Sequence, residues 1–262
     1  MPALGLGTWE NDDPEACRTS VRTALETGYR HVDTAQIYRN EAAVGDGIAA
    51  ADVDRGEVFL ATKVWTNRLG HDDVIESTKE SLERLGTDYL DLLYVHWPSG
   101  DYDPAETLPA LEELREEGLV ERIGVSNFEP SHIETAREVL DAPIFANQIE
   151  VHPLLQQRRL REFCADADIE LVAYSPLARG DVFGVDVLSE IADERGVSEA
   201  QVSLAWLREK GITAIPKATG GDHIRDNWAS LELTLSESET ERIDALEDER
   251  RKVDPSFAPE AW

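Results

Sequence analysis

The sequence predicts a single-domain α/β protein, a (β/α)8 TIM barrel that spans residues 1–262. Short apolar runs typical of β-strands alternate along the chain with amphipathic segments of helical period. Strict alternation of this kind is typical of parallel strands joined by helices, and the chain has room for about eight such units. A doubly wound open sheet is the alternative, but no Gly-x-Gly-x-x-Gly follows the first strand-like run, which weakens a dinucleotide-binding version of that fold.

The individual elements are predicted from the period of the apolar residues. Strand-like runs lie near residues 29–33, 57–62, 89–96, 121–126, 144–150, 169–174 and 212–216, and a weaker eighth run lies near 229–233. Helical segments lie near residues 13–28, 40–50, 72–86, 105–118, 130–141, 156–168, 184–195, 198–210 and 236–248. Ser198 with Gln201, and Ser236 with Glu239, have the spacing of capping boxes that open the last two helices. No repeat or linker interrupts the pattern, so we expect one domain.

Acidic residues dominate the charged composition. The chain has 54 Asp and Glu residues against 25 Lys and Arg residues, which gives a formal net charge of −29. This charge indicates either a very soluble protein with an acidic surface or adaptation to a cytoplasm at molar salt, and we favour the halophilic interpretation. At about 1 M salt the Debye length is roughly 3 Å, so self-repulsion is screened. The acidity argues against binding to nucleic acids and to anionic membranes.

Other compositional features concern location and metals. The chain has no apolar run of about 18 residues and no basic, apolar leader, so we expect no membrane-spanning helix, no signal peptide and a cytoplasmic location. Cys17 and Cys164 are scattered thiols that fit a reducing cytoplasm better than a disulfide. No Cys/His cluster has the spacing of metal ligands, so we expect no metal.

Polar residues stand where three apolar runs end. Asp33, Lys63 and His96 each end a strand-like run, and Tyr38 follows Asp33 in the next loop. A buried strand gains no stability from ending on a charged group, so repeated polar ends indicate a shared site. In a (β/α)8 barrel the C-terminal strand ends form the active-site face. Each residue alone also fits an ordinary structural role, but together they predict a catalytic group.

The four side chains suit the delivery of a proton to a carbonyl oxygen. A free tyrosine has a pKa of about 10, and an ammonium about 4 Å away would favour its phenolate by roughly 4 kcal/mol at an effective dielectric constant of about 20. We therefore expect Lys63 to lower the pKa of Tyr38, while Asp33 holds the ammonium and opposes the shift, so that the net effect depends on geometry. His96 would orient the carbonyl while a hydride reaches its carbon.

Three motifs resemble the aldo-keto reductase superfamily. They are GYRHVDTAQIYRNEAAVG at Gly28–Gly45, ATKVW at Ala61–Trp65 and VHWP at Val95–Pro98. The chain most resembles small prokaryotic members that reduce aldehydes and ketones, such as diketogluconate reductases. The resemblance implies NAD(P)H-dependent reduction of a carbonyl to an alcohol, without a Rossmann domain and with Tyr38 as the general acid. A non-catalytic barrel that senses nicotinamide nucleotides is the alternative, which the complete set of four residues disfavours.

The resemblance also implies the residues that bind the cofactor. Ser126, Asn127 and Gln148 would bind the nicotinamide carboxamide, and Tyr174 would stack on the nicotinamide ring. The residues implied at the pyrophosphate and the adenosine are Ser175, Leu177, Pro216, Lys217, Ala218, His223 and Asn227.

The adenosine end departs from the pattern of the family. Ala218 replaces a serine, and His223 replaces an arginine that would stack on the adenine. Histidine is mostly neutral at pH 7 and lacks the planar fork of arginine, and Asp222 and Asp226 add negative charge. We expect weakened binding of a 2′-phosphate, but NADP(H) remains favoured over NAD(H) because Lys217 is kept.

Substrate choice depends on aromatic residues and on the chain ends. In the family the positions of Trp9, Trp65 and Trp97 line the substrate pocket, which predicts a preference for apolar or flat substrates. Phe257 or Trp262, in a short tail, is expected to reach this pocket or to cover the barrel. The sequence begins almost at the motif Gly-Leu-Gly-Thr, so we expect the hairpin that usually opens the family to be missing or truncated. We expect a monomer that acts on a small carbonyl substrate.

Overall fold

The computed structural model describes residues 1–247 and 249–259 of the chain. Within them, eight strands form one parallel sheet in the order in which they occur along the chain. They are β1 (Leu6–Gly7), β2 (His31–Asp33), β3 (Phe59–Val64), β4 (Leu92–Val95), β5 (Ile123–Ser126), β6 (Ile144–Glu150), β7 (Glu170–Tyr174) and β8 (Thr213–Ala214). Main-chain contacts between the segments around β8 and β1 close this sheet on itself. The (β/α)8 barrel predicted from the sequence is therefore confirmed.

Ten helices surround the sheet in the described part of the chain. They are α1 (Pro14–Thr27), α2 (Glu41–Ala49), α3 (His71–Leu85), α4 (Pro104–Glu116), α5 (Pro130–Val139), α6 (Arg158–Asp166), α7 (Asp186–Arg195), α8 (Glu199–Glu209), α9 (Gly221–Ala229) and α10 (Glu237–Asp244). The nine predicted helical segments are all present, and α9 was not predicted.

The strand predicted near residues 229–233 is wrong. This segment ends α9 and forms a 3₁₀ turn, and the guanidinium of Arg208 donates to two of its carbonyl oxygens. Leu231 and Leu233 pack half-buried against the core. Apolar and polar residues therefore alternate here as they would in a β-strand, although the segment is a turn. The remaining place in the barrel belongs to β1, whose two residues are too few for an apolar period to show.

The seam of the barrel is the contact of residues 4–7 with residues 214–217. The amide of Gly5 donates to the carbonyl of Ala214 at 2.8 Å, and the amide of Gly7 donates to the carbonyl of Pro216 at 3.1 Å. A Cβ atom added at Gly7 would lie only 2.6 Å from the carbonyl oxygen of Ile215. The seam therefore requires a residue without a side chain at this position.

Apolar side chains fill the barrel as well as the space between sheet and helices. The inner cluster consists of Ala61, Leu92, Tyr94, Ala146, Val172 and Ile215. The barrel is thus a packed core without a channel, and a ligand site has to lie at one of its ends.

Of the two capping boxes predicted from the sequence, one forms completely. At α10 the box is complete, because Ser236 Oγ accepts from the amide of Glu239 at 3.3 Å and Glu239 Oε2 accepts from the amide of Ser236 at 2.6 Å. At α8 only half of the box forms: Ser198 caps the helix, but the side chain of Gln201 donates to Asp226.

Two further expectations concern the thiols and the membrane. Cys17 and Cys164 are both free and buried. No helix in the residues that the structure describes is long and apolar enough to cross a membrane.

Candidate active site

Asp33, Lys63, His96 and Tyr38 meet at the C-terminal end of the barrel. Asp33 is the last residue of β2, Lys63 stands one residue before the end of β3, and His96 follows β4 directly. Tyr38 ends a short 3₁₀ turn after β2. Parallel strands bring their C-terminal ends to one face, and this is why residues far apart in the sequence share one site.

Lys63 and Asp33 form a buried ion pair. Lys63 Nζ donates to Asp33 Oδ1 at 2.5 Å and to the carbonyl of Thr34 at 2.8 Å. Gln148 Nε2 donates to Asp33 Oδ2 at 2.8 Å, so both carboxylate oxygens are bound. The two charged side chains are only 1% and 2% exposed, which fixes their positions beneath the site.

The rings of Tyr38 and His96 lie close together above this pair. The Tyr38 and His96 rings are 5.9 Å apart between centroids in an edge-to-face arrangement. Lys63 Nζ lies 5.2 Å from the centroid of the Tyr38 ring. The ammonium is therefore near enough to stabilise a negative charge on the phenol.

The fold decides the net shift in the pKa of Tyr38, which the sequence left to geometry. Burial of the phenol disfavours the phenolate and raises the pKa of Tyr38. The charge of Lys63 lowers this pKa and the charge of Asp33 raises it, and the net shift is upward. The phenol is consequently protonated at neutral pH. The sequence could not decide this balance, because burial of the phenol opposes the charge of Lys63.

The neighbouring charges also have defined protonation states. Burial is the largest single influence on Lys63 and disfavours its ammonium, but the charges and hydrogen bonds of Asp33 and Tyr38 together outweigh it, so the pKa of Lys63 is raised. Burial raises the pKa of Asp33, against the charge and hydrogen bond of Lys63. Burial, helped by the charge of Lys63, holds the pKa of His96 well below its usual value, so its imidazole is neutral. His96 Nδ1 has no hydrogen-bond partner among the described residues.

A second network extends from this centre towards β5, β6 and β7. Tyr174 OH donates to Asn127 Oδ1 at 2.9 Å, and Asn127 Nδ2 donates to the carbonyl of His96 at 3.0 Å. Asn127 has a φ of 63°, a left-handed conformation that asparagine tolerates better than most residues. Ser126 Oγ donates to the carbonyl of Gln148 at 2.9 Å. The side chains predicted to bind a nicotinamide are thus linked to the candidate catalytic group.

A cavity of about 600 Å³ lies over these residues. Of the predicted site residues, it is lined by Trp9, Asp33, Tyr38, Trp65, His96, Trp97, Asn127, Gln148, Tyr174, Ser175, Leu177, Pro216, Lys217, His223 and Asn227. Lys63 lies beneath its floor, fully buried. Ser126 and Ala218 are buried and do not line it, and Ala218 packs in the core.

The predicted adenosine residues lie at the far end of the cavity from His96. Lys217 and His223 are exposed, and Asn227 is buried in α9. Asp226 also lines the cavity, but it accepts from Ser198 Oγ and Gln201 Nε2, both at 2.6 Å. These two hydrogen bonds hold the Asp226 carboxylate against α8.

Aromatic side chains form the wall of the cavity next to the ends of β3 and β4. Phe257 packs edge-on against Trp65 at 5.8 Å and against Trp97 at 5.5 Å between ring centroids. The prediction that the tail reaches the pocket therefore holds for Phe257, whereas Trp262 lies outside the described residues. Trp9 stacks on the guanidinium of Arg179, whose Cζ lies 4.3 Å from the indole ring.

Several lining residues were not predicted from the sequence. Ile37 and Phe183 are among the few large apolar side chains that are exposed in the described structure, and both line this cavity. Arg179 lines it too, with a φ of 52° in the loop after β7. A single apolar residue in a loop is not part of a periodic pattern, so the sequence does not show whether it is buried or exposed. The apolar residues at the mouth of the cavity therefore could not be predicted.

Metal ligands are not assembled here: among the residues that the structure describes, no three His, Cys, Asp or Glu side chains are grouped to hold a metal ion.

Comparison with known proteins identifies the class of this barrel. Residues 3–248 match the Aldo/keto reductase family, and the chain belongs to that family, whose members bind nicotinamide cofactors and reduce carbonyl compounds. It is 43% identical over 254 residues to the 9,11-endoperoxide prostaglandin H2 reductase of Trypanosoma cruzi, a match that covers 96% of this chain and 89% of that protein. It is 41% identical over 265 residues to the methylglyoxal reductase DkgB of Salmonella typhi, covering 100% and 99% of the two chains.

A solved structure agrees with this placement. The crystal structure of a putative 2,5-diketo-D-gluconic acid reductase B superimposes with a TM-score of 0.95 at 39% identity, covering 99% of this chain and 93% of that one. The resemblance to diketogluconate reductases inferred from the motifs is confirmed, and the chain is an oxidoreductase that acts on carbonyl compounds.

Proposed function

We propose that the chain reduces small aldehydes or ketones to alcohols with NADPH, and that Tyr38 is the general acid. The observation that carries this proposal is the protonated Tyr38 phenol beside a neutral His96, above the buried Lys63–Asp33 pair, at the floor of an open cavity. An acid that is protonated at neutral pH and has a fixed cation next to it suits proton transfer to a carbonyl oxygen.

The residues around the cavity fit a nicotinamide nucleotide. Amide groups of Asn127 and Gln148 and the ring of Tyr174 line it near His96, and Lys217 lines it at the other end. Amides suit a carboxamide, an aromatic ring suits a nicotinamide face, and an ammonium suits a phosphate. When bound, the reduced nicotinamide supplies a hydride to the carbonyl carbon.

The geometry supports a proposed role for each of the four side chains. The neutral imidazole of His96 has one N–H, which would donate to the carbonyl oxygen and place it near Tyr38. As the carbonyl is reduced, the Tyr38 phenol would give its proton to the carbonyl oxygen and become a phenolate. The ammonium of Lys63 stabilises this phenolate, and Asp33 keeps the ammonium in position. Solvent then returns a proton to Tyr38.

The walls of the cavity favour carbonyl compounds with an apolar or flat body. Trp65, Trp97 and Phe257 surround one side of the reacting position, and Ile37 and Phe183 extend the apolar surface to the mouth. Such a surface gains affinity by burying apolar area and gives few polar contacts for selection. We therefore expect aromatic and short aliphatic aldehydes to be better substrates than highly hydroxylated sugars.

The cofactor preference rests on one exposed cation. Lys217 lines the adenosine end and can pair with a 2′-phosphate, whereas His223 is a weaker partner than an arginine. NADPH should bind more tightly than NADH, by a margin that falls as salt screens the exposed ion pair.

The acidic composition fits a salt-rich cellular interior. Five acidic side chains are buried in the described structure (Asp33, Glu41, Glu129, Glu150 and Glu239), so the excess negative charge lies mainly at the surface. The two free thiols fit a reducing compartment.

Replacement of Tyr38 by phenylalanine tests the proposed chemistry. The Tyr38→Phe variant should lose on the order of 10²- to 10⁴-fold in kcat, measured as cofactor oxidation with a panel of aldehydes and ketones in molar KCl. Its affinity for NADPH should stay unchanged. Tyr89→Phe is the matched control, because Tyr89 lies near the opposite end of the barrel, beside Arg55. Full turnover by Tyr38→Phe refutes the assignment, and wild-type protein that binds cofactor without reducing any carbonyl indicates a nucleotide sensor.

A further inference from the structure

The last described segment of the chain has an irregular path across the cavity mouth. Residues 249–259, called here the tail segment, contain neither helix nor strand. They nevertheless deliver Phe257 to Trp65 and Trp97, where its ring packs edge-on against both indoles. An irregular segment holds such a position only if specific contacts fix its backbone.

Glu150 provides the first of these contacts. It is the last residue of β6, and its side chain is fully buried. Glu150 Oε1 accepts from the amide of Lys252 at 2.6 Å, and Oε2 accepts from the amide of Val253 at 2.9 Å. Both oxygens of one carboxylate thus bind consecutive main-chain amides, and hydrogen bonds to a buried charge are among the stronger ones in proteins.

His152 completes this anchor. Its Nε2 lies 2.9 Å from Glu150 Oε1, and its side chain is also fully buried. A buried carboxylate is stable only when its oxygens are satisfied. The tail amides and His152 supply these partners, so the tail segment and the end of β6 depend on each other.

Asp181 provides a second contact at the surface. Its carboxylate accepts from the ammonium of Lys252 and lies 3.6 Å from a guanidinium nitrogen of Arg250. Asp181 belongs to the loop after β7, which also carries Arg179 and Phe183. The second contact is partly exposed, with Asp181 33% accessible, and is therefore sensitive to salt, unlike the first.

We propose that Glu150 is a positioning residue for substrate binding, which acts by holding the tail segment so that Phe257 completes the aromatic wall. Glu150 does not line the cavity and cannot touch the substrate itself. This inference rests on the proposed carbonyl reductase function, because the wall in question is the substrate wall. Its expected signature is a change in KM with little change in kcat, since Tyr38 and His96 keep their places.

Double-mutant kinetics test this role. Glu150→Gln keeps the size of the side chain but replaces one accepting oxygen by an NH₂ group, which cannot accept a hydrogen bond from a main-chain N–H. KM for an aromatic aldehyde should rise by about tenfold, with kcat within about twofold. Phe257→Ala should raise KM similarly, and the double variant should resemble the Phe257→Ala protein because both changes remove the same contact. Independent, multiplicative effects on KM, or an unchanged KM in Glu150→Gln, overturn the proposal.

Controls separate positioning from a loss of stability. Glu239→Gln removes another buried carboxylate, one that caps α10 away from the cavity, and should lower Tm without raising KM. Asp181→Asn should raise KM at low salt and lose this effect in molar KCl, whereas the Glu150→Gln effect should persist. An Asp181→Asn effect on KM that is equal at both salt concentrations contradicts the two-contact description.

Hydrogen exchange of the wild-type protein provides a test that needs neither a folded variant nor catalysis. The amides of Lys252 and Val253 should be well protected from exchange, since Glu150 binds them in a buried position, and the comparison with their neighbours leaves out Arg250, whose amide donates to the carbonyl of Leu154. Unprotected amides at both positions refute the anchor even if the reductase activity is confirmed. Protected amides in a protein without turnover leave the anchor standing and reject the proposed function.

Discussion

Lys63 has no direct contact with the cavity, yet its removal should greatly reduce turnover. In a Lys63→Met variant the side chain keeps much of its volume and loses its charge. The phenolate that Tyr38 becomes during reduction then has no cation beside it. The pKa of Tyr38, already raised by burial, should rise further because the ammonium of Lys63 is the main influence that lowers it.

The size of this effect follows from the separation of the two groups. Lys63 Nζ is 5.2 Å from the centroid of the Tyr38 ring. At an effective dielectric constant of about 20, two unit charges at this distance interact by roughly 3 kcal/mol. If most of the charge has developed in the transition state, kcat should fall on the order of a hundredfold. Asp33 would be left buried without its partner, which destabilises the fold by about 3–5 kcal/mol.

Single-turnover kinetics and a double variant separate these two consequences. Reduction by Lys63→Met is followed as cofactor oxidation, with a deuterated cofactor to show whether hydride transfer limits the rate. Asp33→Asn/Lys63→Met carries neither charge, so it should regain much of the lost stability without regaining activity. A folded Lys63→Met protein with kcat within about threefold of wild type would falsify the electrostatic role.

Three further predictions concern pH, salt and cofactor choice. Because the pKa of Tyr38 is raised and the protonated phenol is the active form, kcat for reduction should stay level from neutral pH to about pH 10 and fall only above it. Because the pKa of His96 is lowered, the same profile should show no step near pH 6.5, and a step there contradicts a neutral imidazole. Tm should rise by roughly 10 °C or more between dilute buffer and molar KCl, through screening of the −29 net charge, and equal values at both salts refute the halophilic interpretation. His223→Arg should bind NADPH about three- to tenfold more tightly at low salt, by titration, without a gain for NADH, and His223→Gln serves as its control.

The grouping of the candidate catalytic residues was predictable because one physical rule brings them together. Asp33, Lys63 and His96 each follow or end an apolar run, and parallel strands present all such ends on one face. The period of the apolar residues marked seven of the strands and thereby the site. The pKa of Tyr38 was not predictable, because burial and the charge of Lys63 oppose each other and only the packing of the folded chain decides between them.

Other parts of the fold carry no readable pattern. β1 is two residues long and gives no period, while the leucines at 231 and 233 alternate like a strand although they belong to a turn that packs on α8 through Arg208. The path of the tail segment is set by a carboxylate about a hundred residues earlier, at Glu150. A contact between one side chain and a distant segment of backbone cannot be predicted from the local sequence. The sequence therefore could not decide whether Phe257 reaches the pocket or covers the barrel.

The seam of the barrel also dictates when this protein can finish folding. β1 obtains its outer neighbour only from the last strand, and Thr213 Oγ1 donates to the carbonyl of Pro2, 211 residues away. Until residues 213–217 have left the ribosome, the growing sheet has two unpaired edges, which are sites where nascent chains associate. The end of the cavity at Lys217, where we propose that the adenosine binds, is built by the same late contact. The proposed nucleotide site would thus exist only in the closed barrel, and a bound nucleotide would favour that barrel over every open intermediate.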